Sequence, residues 1–362
     1  MNVGDLARAL ESIAPLIYAE DWDNVGLLAG DRAAPLTRAL LCIDCTKEVI
    51  AEAEGSGCEA IVAYHPPILR PVSRVTSGSV LFELVKRGIA VYSPHTALDA
   101  APGGTNDALA DLVGLTNRAP IRACAPKDTY YKLVAFVPPD ALAKVSDAVF
   151  AAGAGRIGDY GSCSFRTPGT GTFFGEAGTK PAAGKPGTLE TVGEVRLEVV
   201  VPMARTSEVV RALRGSHPYE EPAFDLVRLA PPPSEFGMGR IGKIDSEDRG
   251  SLLVRIKEAI GVPHVLLAGP RRGNVTRIAV CAGSAGGLLD AAIEQGAEVV
   301  VTGEVRHHDA LRAAEAGVTV MCALHSNSER LALEPLLGKL GNLLPGLKLS
   351  TGRADRDPFT IV

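Results

Sequence analysis

The sequence predicts an α/β protein: two repeated three-layer α/β halves forming one core, interrupted by an inserted α+β domain of ferredoxin-like pattern. Three observations carry this prediction. Short apolar runs alternate with amphipathic segments through residues 1–125 and again through 239–362, the signature of βαβ units. The second of these stretches repeats the first, segment on segment. The material between them, 126–238, has a different rhythm of strands and helices.

In order along the chain, "MNVGDLARALESIAP" reads as an amphipathic helix carrying acidic residues, not as a signal peptide. "RALLCID", "EAIVAYH" and "IAVYSPH" then read as buried strands, separated by the helices "KEVIAEAEGSG" and "VLFELVKRG". "GGTNDALADLVG" closes the first half as a helix. The insert gives strand "YYKLVAFVP", helix "LAKVSDAVFAAG", strand "VGEVRLEVVVP", helix "SEVVRALRGS" and strand "PAFDLVRLA", with a hairpin-like middle. Its "GTGTF" and "HPYEEP" have no nucleotide-loop spacing and read as turns. "RLAPPPSEFGMG" is the expected linker back to the core. The second half runs "RIAVCAG", "LLDAAIEQG", "AEVVVTGE", "HHDALRAAEAG" and "VTVMCALH" as strand, helix, strand, helix, strand.

The repeat matches chemistry as well as pattern. Cys42 falls on Cys281, and "GCEAIVAYH" on "GAEVVVTGE", so His65 falls on Glu304. "GIAVYSPHTALD" falls on "GVTVMCALHSNSE", which places His95 on His325 and Asp99 on Glu329.

Composition narrows the function classes. A net charge of −5 argues against a broad nucleic-acid-binding face. No apolar run reaches the length of about 18 residues that a membrane helix needs, so a cytoplasmic protein is expected. The seven cysteines are scattered and read as reduced thiols. Cys42 and Cys45 form a lone CxxC inside an apolar run, a weak redox or zinc signal. Trp22, the only tryptophan, reads as a core or subunit-contact residue, and Asp23 and Asn24 as hydrogen-bonding support.

His65, His95, Glu304 and His325 all follow the last residues of predicted core strands, where open α/β sheets place their ligand crevice. In both HxxxD/E pairs the carboxylate lies four residues after the histidine, which on a helix puts both groups on one face. Imidazole with carboxylate suits zinc, iron or manganese. Taken singly, each pair could equally be a helix cap or a surface ion pair. Two of them, related by the repeat and joined by His65, point to a metal site. The edge "TGEVRHHDAL" offers Glu304, His307 and His308 for general acid/base work, or simply a helix start.

These motifs resemble one family. "DWDNVGLLAG" at 21–30, "YHPPI" at 64–68, "HTALDAAPGGTNDALA" at 95–110, "TGEVRHHDAL" at 302–311, "HSNSE" at 325–329 and "DRDP" at 355–358 are similar to those of the dinuclear-metal-centre hexameric proteins known as GTP cyclohydrolase I type 2 homologues, the Ngg-interacting-factor-like proteins. "YGSCSFRTPGTGTF" and "HPYEEPAFD" resemble the PII-like domain of longer bacterial members. The resemblance implies two divalent metal ions per subunit. His65 and Asp99 would hold one, His325 the other, and Glu329 would bridge them. Tyr64 stands where many members have a second histidine, and a neutral phenol is a poor ligand, so the second site would be weaker. His95 would lie beside the metals, facing substrate. The resemblance further implies a homohexameric ring and a metal-dependent hydrolase acting on a nucleotide-like small molecule, with GTP ring opening the sharpest version. A metal-dependent phosphoesterase, or a non-catalytic ring scaffold that binds metal and partner proteins, is the alternative.

Overall fold

The computed structural model describes residues 1–124, 130–230 and 234–361. Both the expected domain boundary at 125/126 and Pro231–Pro233 of the expected linker involve positions outside the described residues. The described residues divide into two compact units, 1–124 with 234–361 and 130–230.

The first unit is built on two related sheets. One runs in the order Gly26–Ala29, Ala90–Ser93, Ala60–Ala63, Arg38–Cys42, Lys348–Thr351. The other runs Leu266–Ala268, Thr319–Cys322, Val299–Glu304, Asn274–Ser284, Arg240–Asp248, Thr116–Ala119. Each has an antiparallel edge strand and then three parallel strands, in the same order. The parallel strands Ala60–Ala63, Ala90–Ser93 and Thr319–Cys322 are buried at every position, which is why they read as unbroken apolar runs.

The halves exchange elements. Strand Thr116–Ala119, from the N-terminal half, edges the second sheet against Arg240–Asp248. Strand Lys348–Thr351, from the C-terminal half, pairs in parallel with Arg38–Cys42 of the first. Leu109 and Val113 of helix Thr105–Val113 pack with Val280, Val299 and Met321, while Leu336 and Leu340 of helix Leu333–Leu343 pack with Leu6 and Leu10. Asn106 locks the exchange: its amide donates to the Asp99 carbonyl at 3.0 Å and its carbonyl accepts the Ala282 N–H at 2.9 Å.

The second unit runs Tyr130–Val137, helix Leu142–Ala151, Phe165–Phe174, Leu189–Pro202, helix Thr206–Ser216, Phe224–Arg228. Its sheet order is Phe224–Arg228, Tyr130–Val137, Leu189–Pro202, Phe165–Phe174, antiparallel throughout. Leu133, Ala135, Val137, Leu197 and Val199 on one face meet Val145, Val149, Val209 and Leu213 of the helices. One expectation is corrected here. "GTGTF" is not a turn but the end of the ten-residue strand Phe165–Phe174, paired in continuous register with Leu189–Pro202. Glycine is tolerated because it has a use: a Cβ on Gly171 would lie 2.3 Å from Glu194 Oε2.

Among the described residues no helix is long and apolar enough to cross a membrane.

Candidate metal centre

The strand Ala60–Ala63 continues its pairing beyond its formal end. Tyr64 N–H donates to the Cys42 carbonyl at 2.8 Å and His65 N–H to that of Ile43 at 2.9 Å. Pro66 and Pro67 then end the ladder, so His65 is held at the sheet's carboxyl edge. On the related sheet, Leu324 takes a positive φ of 68° after strand Thr319–Cys322 and turns the chain into the six-residue helix His325–Arg330.

These elements converge on Glu329. His65, His325 and Glu329 each offer a ligand atom, and the three atoms lie within 4.8 Å of one another. His325 Nε2 is 3.1 Å from Glu329 Oε1, and His65 Nε2 is 3.2 Å from Oε2. Despite its nearness to His65, Oε2 is buried with no hydrogen-bond partner. A buried, unsatisfied carboxylate oxygen between two imidazoles is costly unless something cationic shares the site. Space is kept for it: a Cβ on Gly283 would sit 2.4 Å from Glu329 Oε1 and 3.3 Å from His325 Nε2. Both the donor set and the cradle therefore fit a divalent ion.

The electrostatics agree. Burial opposes the charged form of His65, but the carboxylates of Asp44 and Glu329 outweigh it and push the ring up to about 10. Glu329, working against burial and helped by Glu304, pushes His325 up to about 9. Burial raises Glu329, yet the two imidazoles hold it below the usual carboxylate range. Without an ion the two rings thus hold protons beside Glu329, and a divalent ion bound there would displace them.

The repeat-related pair behaves differently. His95 and Asp99 also lie four apart on a short helix, His95–Ala100, but His95 Nδ1 turns to Asp23 Oδ1 at 2.8 Å. His95 itself has a positive φ of 25° and packs edge-on to His65, ring centres 5.3 Å apart. Asp99 is buried and accepts the Tyr64 hydroxyl at 2.5 Å. Burial, more than that hydrogen bond offsets, pushes Asp99 up to about 6. Burial, followed by the charge of Asp99, drives the Tyr64 phenol well above its ordinary value, so it stays protonated. Tyr64 is placed as a donor to Asp99 rather than as an anionic ligand.

Glu304 is exposed at the end of its strand, with Oε1 3.1 Å from His325 Nδ1. His307 and His308 begin the helix His307–Glu315, exposed and packed on each other at 5.3 Å. Trp22 corrects the core reading: it is 60% exposed, because the Asp23 carboxylate anchoring His95 and Thr96 holds this turn at the surface. Its ring meets His95 edge-on at 5.9 Å. Asn24 donates to the Ile68 carbonyl at 2.5 Å. Cys42 and Cys45 are both buried, and burial raises both thiols, which removes the redox reading.

Two supporting carboxylates went unread in the sequence. Asp44, inside "CIDC", holds His65 Nδ1 at 2.9 Å. Asp355 is buried, accepts the N–H groups of Ile43 and Asp44 at 2.7 and 3.3 Å, and pairs with Arg330. Position could have found Asp44, which follows a strand end just as His65 does.

Fold and site define the class: a mixed α/β protein of several sheets with a histidine–carboxylate cluster at its strand ends. The chain belongs to the Duf34/NIF3 (NGG1p interacting factor 3) family, whose model matches residues 1–358. It is 37% identical to a "GTP cyclohydrolase 1 type 2 homolog" of Halalkalibacterium halodurans over 100% of this chain and 99% of that one. A Bacillus subtilis protein of the same description is 33% identical with the same coverage. Among solved structures, a Bacillus cereus protein related to NIF3 superposes with a TM-score of 0.69 at 31% identity, and a Staphylococcus aureus protein with 0.78 at 30%. Each covers 100% of this chain and 99% of the other.

Proposed function

We propose that the protein is a divalent-metal-dependent hydrolase of a small, phosphorylated, nucleotide-like substrate, with His65, His325 and Glu329 holding an ion. The observation that carries this reading is the buried Glu329 oxygen without a hydrogen-bond partner, set between two imidazoles. A divalent ion bound there supplies Lewis-acid chemistry, which acidifies water and polarises a phosphoryl or carbonyl oxygen.

The chain's own residues do the rest. Asp44 fixes His65 through Nδ1, so that Nε2 faces the cluster. Glu304 orients His325 through Nδ1 and, being exposed, is the carboxylate placed to carry a proton to and from solvent. His95, anchored by Asp23, presents its ring beside His65 toward substrate, with Trp22 at its edge. His307 and His308, further along the same edge, are left as auxiliary proton carriers. Asp99, which already accepts from Tyr64, would be the ligand on which a second ion depends, so we assign between one and two ions per chain.

The relatives' description supports GTP ring opening as the substrate to test first. We read the second unit as a PII-like, ferredoxin-like insert, a reading its β-α-β-β-α-β order supports. We also propose a cytoplasmic homohexamer; exposed Trp22, Leu69, Val72 and Val75 on the first unit are the kind of apolar surface that subunits cover.

The decisive experiment is elemental analysis of the purified protein together with turnover of GTP and simple phosphoesters, with and without chelator. Metal-dependent turnover is expected. Failure to take up metal on reconstitution would sink the metal site, and full metal without turnover would leave a binding scaffold. Light scattering should report six subunits, and a monomer at micromolar concentration refutes the ring.

A further inference from the structure

We propose that the inserted unit carries a second binding site, taking a planar, amino-substituted heterocycle that presents two adjacent N–H groups. A cavity of about 650 Å³ opens on this unit and is lined entirely by its residues. That is the size that encloses a small organic ligand. Strand alternation puts it on the sheet face opposite the helices: Leu133, Ala135 and Val137 point to the helices, whereas Phe136 between them lines the cavity.

The floor is open because the motif "GTGTF" supplies no bulk there. Gly169 and Gly171 lie opposite Glu194 and Val192, and the Glu194 carboxylate lies over Gly171. Phe136, Phe173 and Tyr219 give aromatic walls on which a flat ring can stack. The segment around Lys180 closes over toward "HPYEEP", tied by the Lys180 N–H to Glu220 Oε2 at 3.0 Å.

The polar groups choose the ligand. Two cations line the cavity, Lys180 and Arg196, and Arg196 already donates to Glu198 at 2.9 Å; the carboxylates of Glu194, Glu220 and Glu221 outnumber them. That balance opposes an anion. Burial, then the neighbouring Glu194 carboxylate, pushes the Tyr219 phenol up to about 12, so it stays protonated beside Glu194. A carboxylate has about four acceptor positions, so Glu194 keeps capacity for a pair of parallel N–H donors. The aromatic walls and the glycine floor fix the plane in which that pair must arrive.

The test uses the full chain and calorimetric titration with guanosine, which carries the N–H pair, and inosine, which lacks the amino group. Guanosine should bind and inosine bind more weakly. Glu194→Gln should weaken guanosine by roughly tenfold to a hundredfold, the loss expected for hydrogen bonds to a charged acceptor. Phe136→Leu keeps the wall apolar and should also weaken it by removing the stack. Chelation and Glu329→Gln should leave guanosine binding at this site unchanged, which separates the inference from the fate of the metal centre. No guanosine binding, equal binding of inosine, or unaltered binding by Glu194→Gln would overturn it.

Discussion

Glu329 shows how a single side chain organises the candidate site. Its carboxylate is buried, faces two imidazoles and leaves Oε2 without a hydrogen-bond partner. Replacing it with glutamine keeps the shape but removes the negative charge that offsets a bound cation. Glu329→Gln should therefore abolish metal uptake, His325→Ala should lower it, and Glu304→Gln should retain metal while slowing any hydrolysis. Elemental analysis of the three variants decides the matter: a Glu304→Gln protein as empty as Glu329→Gln would make Glu304 a ligand. The histidines and Glu329 were legible because strand-end position and i, i+4 spacing are local patterns. The different fates of His95 and His325 came only with the family resemblance, which sets His95 beside the metals. Sequence pairs them, but His95 turns away to Asp23, a residue brought in from a distant turn.

At the scale of elements, backbone geometry makes room for these groups. Gly283 has φ of 66°, a region that other residues enter at a cost of roughly 1–2 kcal/mol. Its added methyl would also collide with Glu329 Oε1. Gly283→Ala should thus lose metal as well as stability, read by elemental analysis and by a thermal melt in chelator. An unchanged metal content would show that Glu329 has somewhere else to go. In the second unit, His217 donates from Nε2 to the Phe136 carbonyl at 3.0 Å, and its Nδ1 accepts the Tyr219 N–H at 3.1 Å. The Nδ1 contact requires the neutral ring, and burial depresses its pKa despite the Phe136 carbonyl and the charge of Glu194. Because the folded value lies below the unfolded 6.5, the unfolded chain binds the proton more readily. The contribution of His217 is present above pH 6.5 and is lost as pH falls through the folded value. Hydrogen-exchange protection factors in residues 130–230 should fall on acidification, and His217→Gln should flatten that dependence. Element signals were read unevenly in the sequence. Helix Arg249–Ile260 carries ordinary local cues, since Asp248 caps it and Gly261 ends it. "GTGTF" reads as a turn in isolation, because its strand is justified only by the partner strand opposite.

The whole molecule depends on the exchange between its halves, which no local pattern announces. The repeat predicts two halves forming one core, and nothing in it marks a strand that crosses between them. The chain returns its C-terminal strand Lys348–Thr351 to the first sheet, and Asp355 follows it into the core. There Asp355 accepts from the backbone of Ile43 and Asp44, and Asp44 in turn holds His65. Its partner Arg330 immediately follows Glu329 on the helix that supplies the other side of the site. One buried carboxylate therefore ties the "DRDP" tail to both sides of the candidate metal centre. Asp355→Ala leaves the two N–H groups without their acceptor and a partly buried guanidinium with only the residue-355 carbonyl, a loss of about 3 kcal/mol for a broken pair of this kind. The expected result is a lower urea midpoint together with weaker metal binding, although Asp355 is not among the three clustered residues. Arg330→Gln should reproduce the stability loss in part while leaving the Asp355–Ile43 contact intact, and so should retain more metal. If Asp355→Ala destabilises the chain yet binds metal as tightly as the parent, the tail supports the fold alone and Asp44 positions His65 without it.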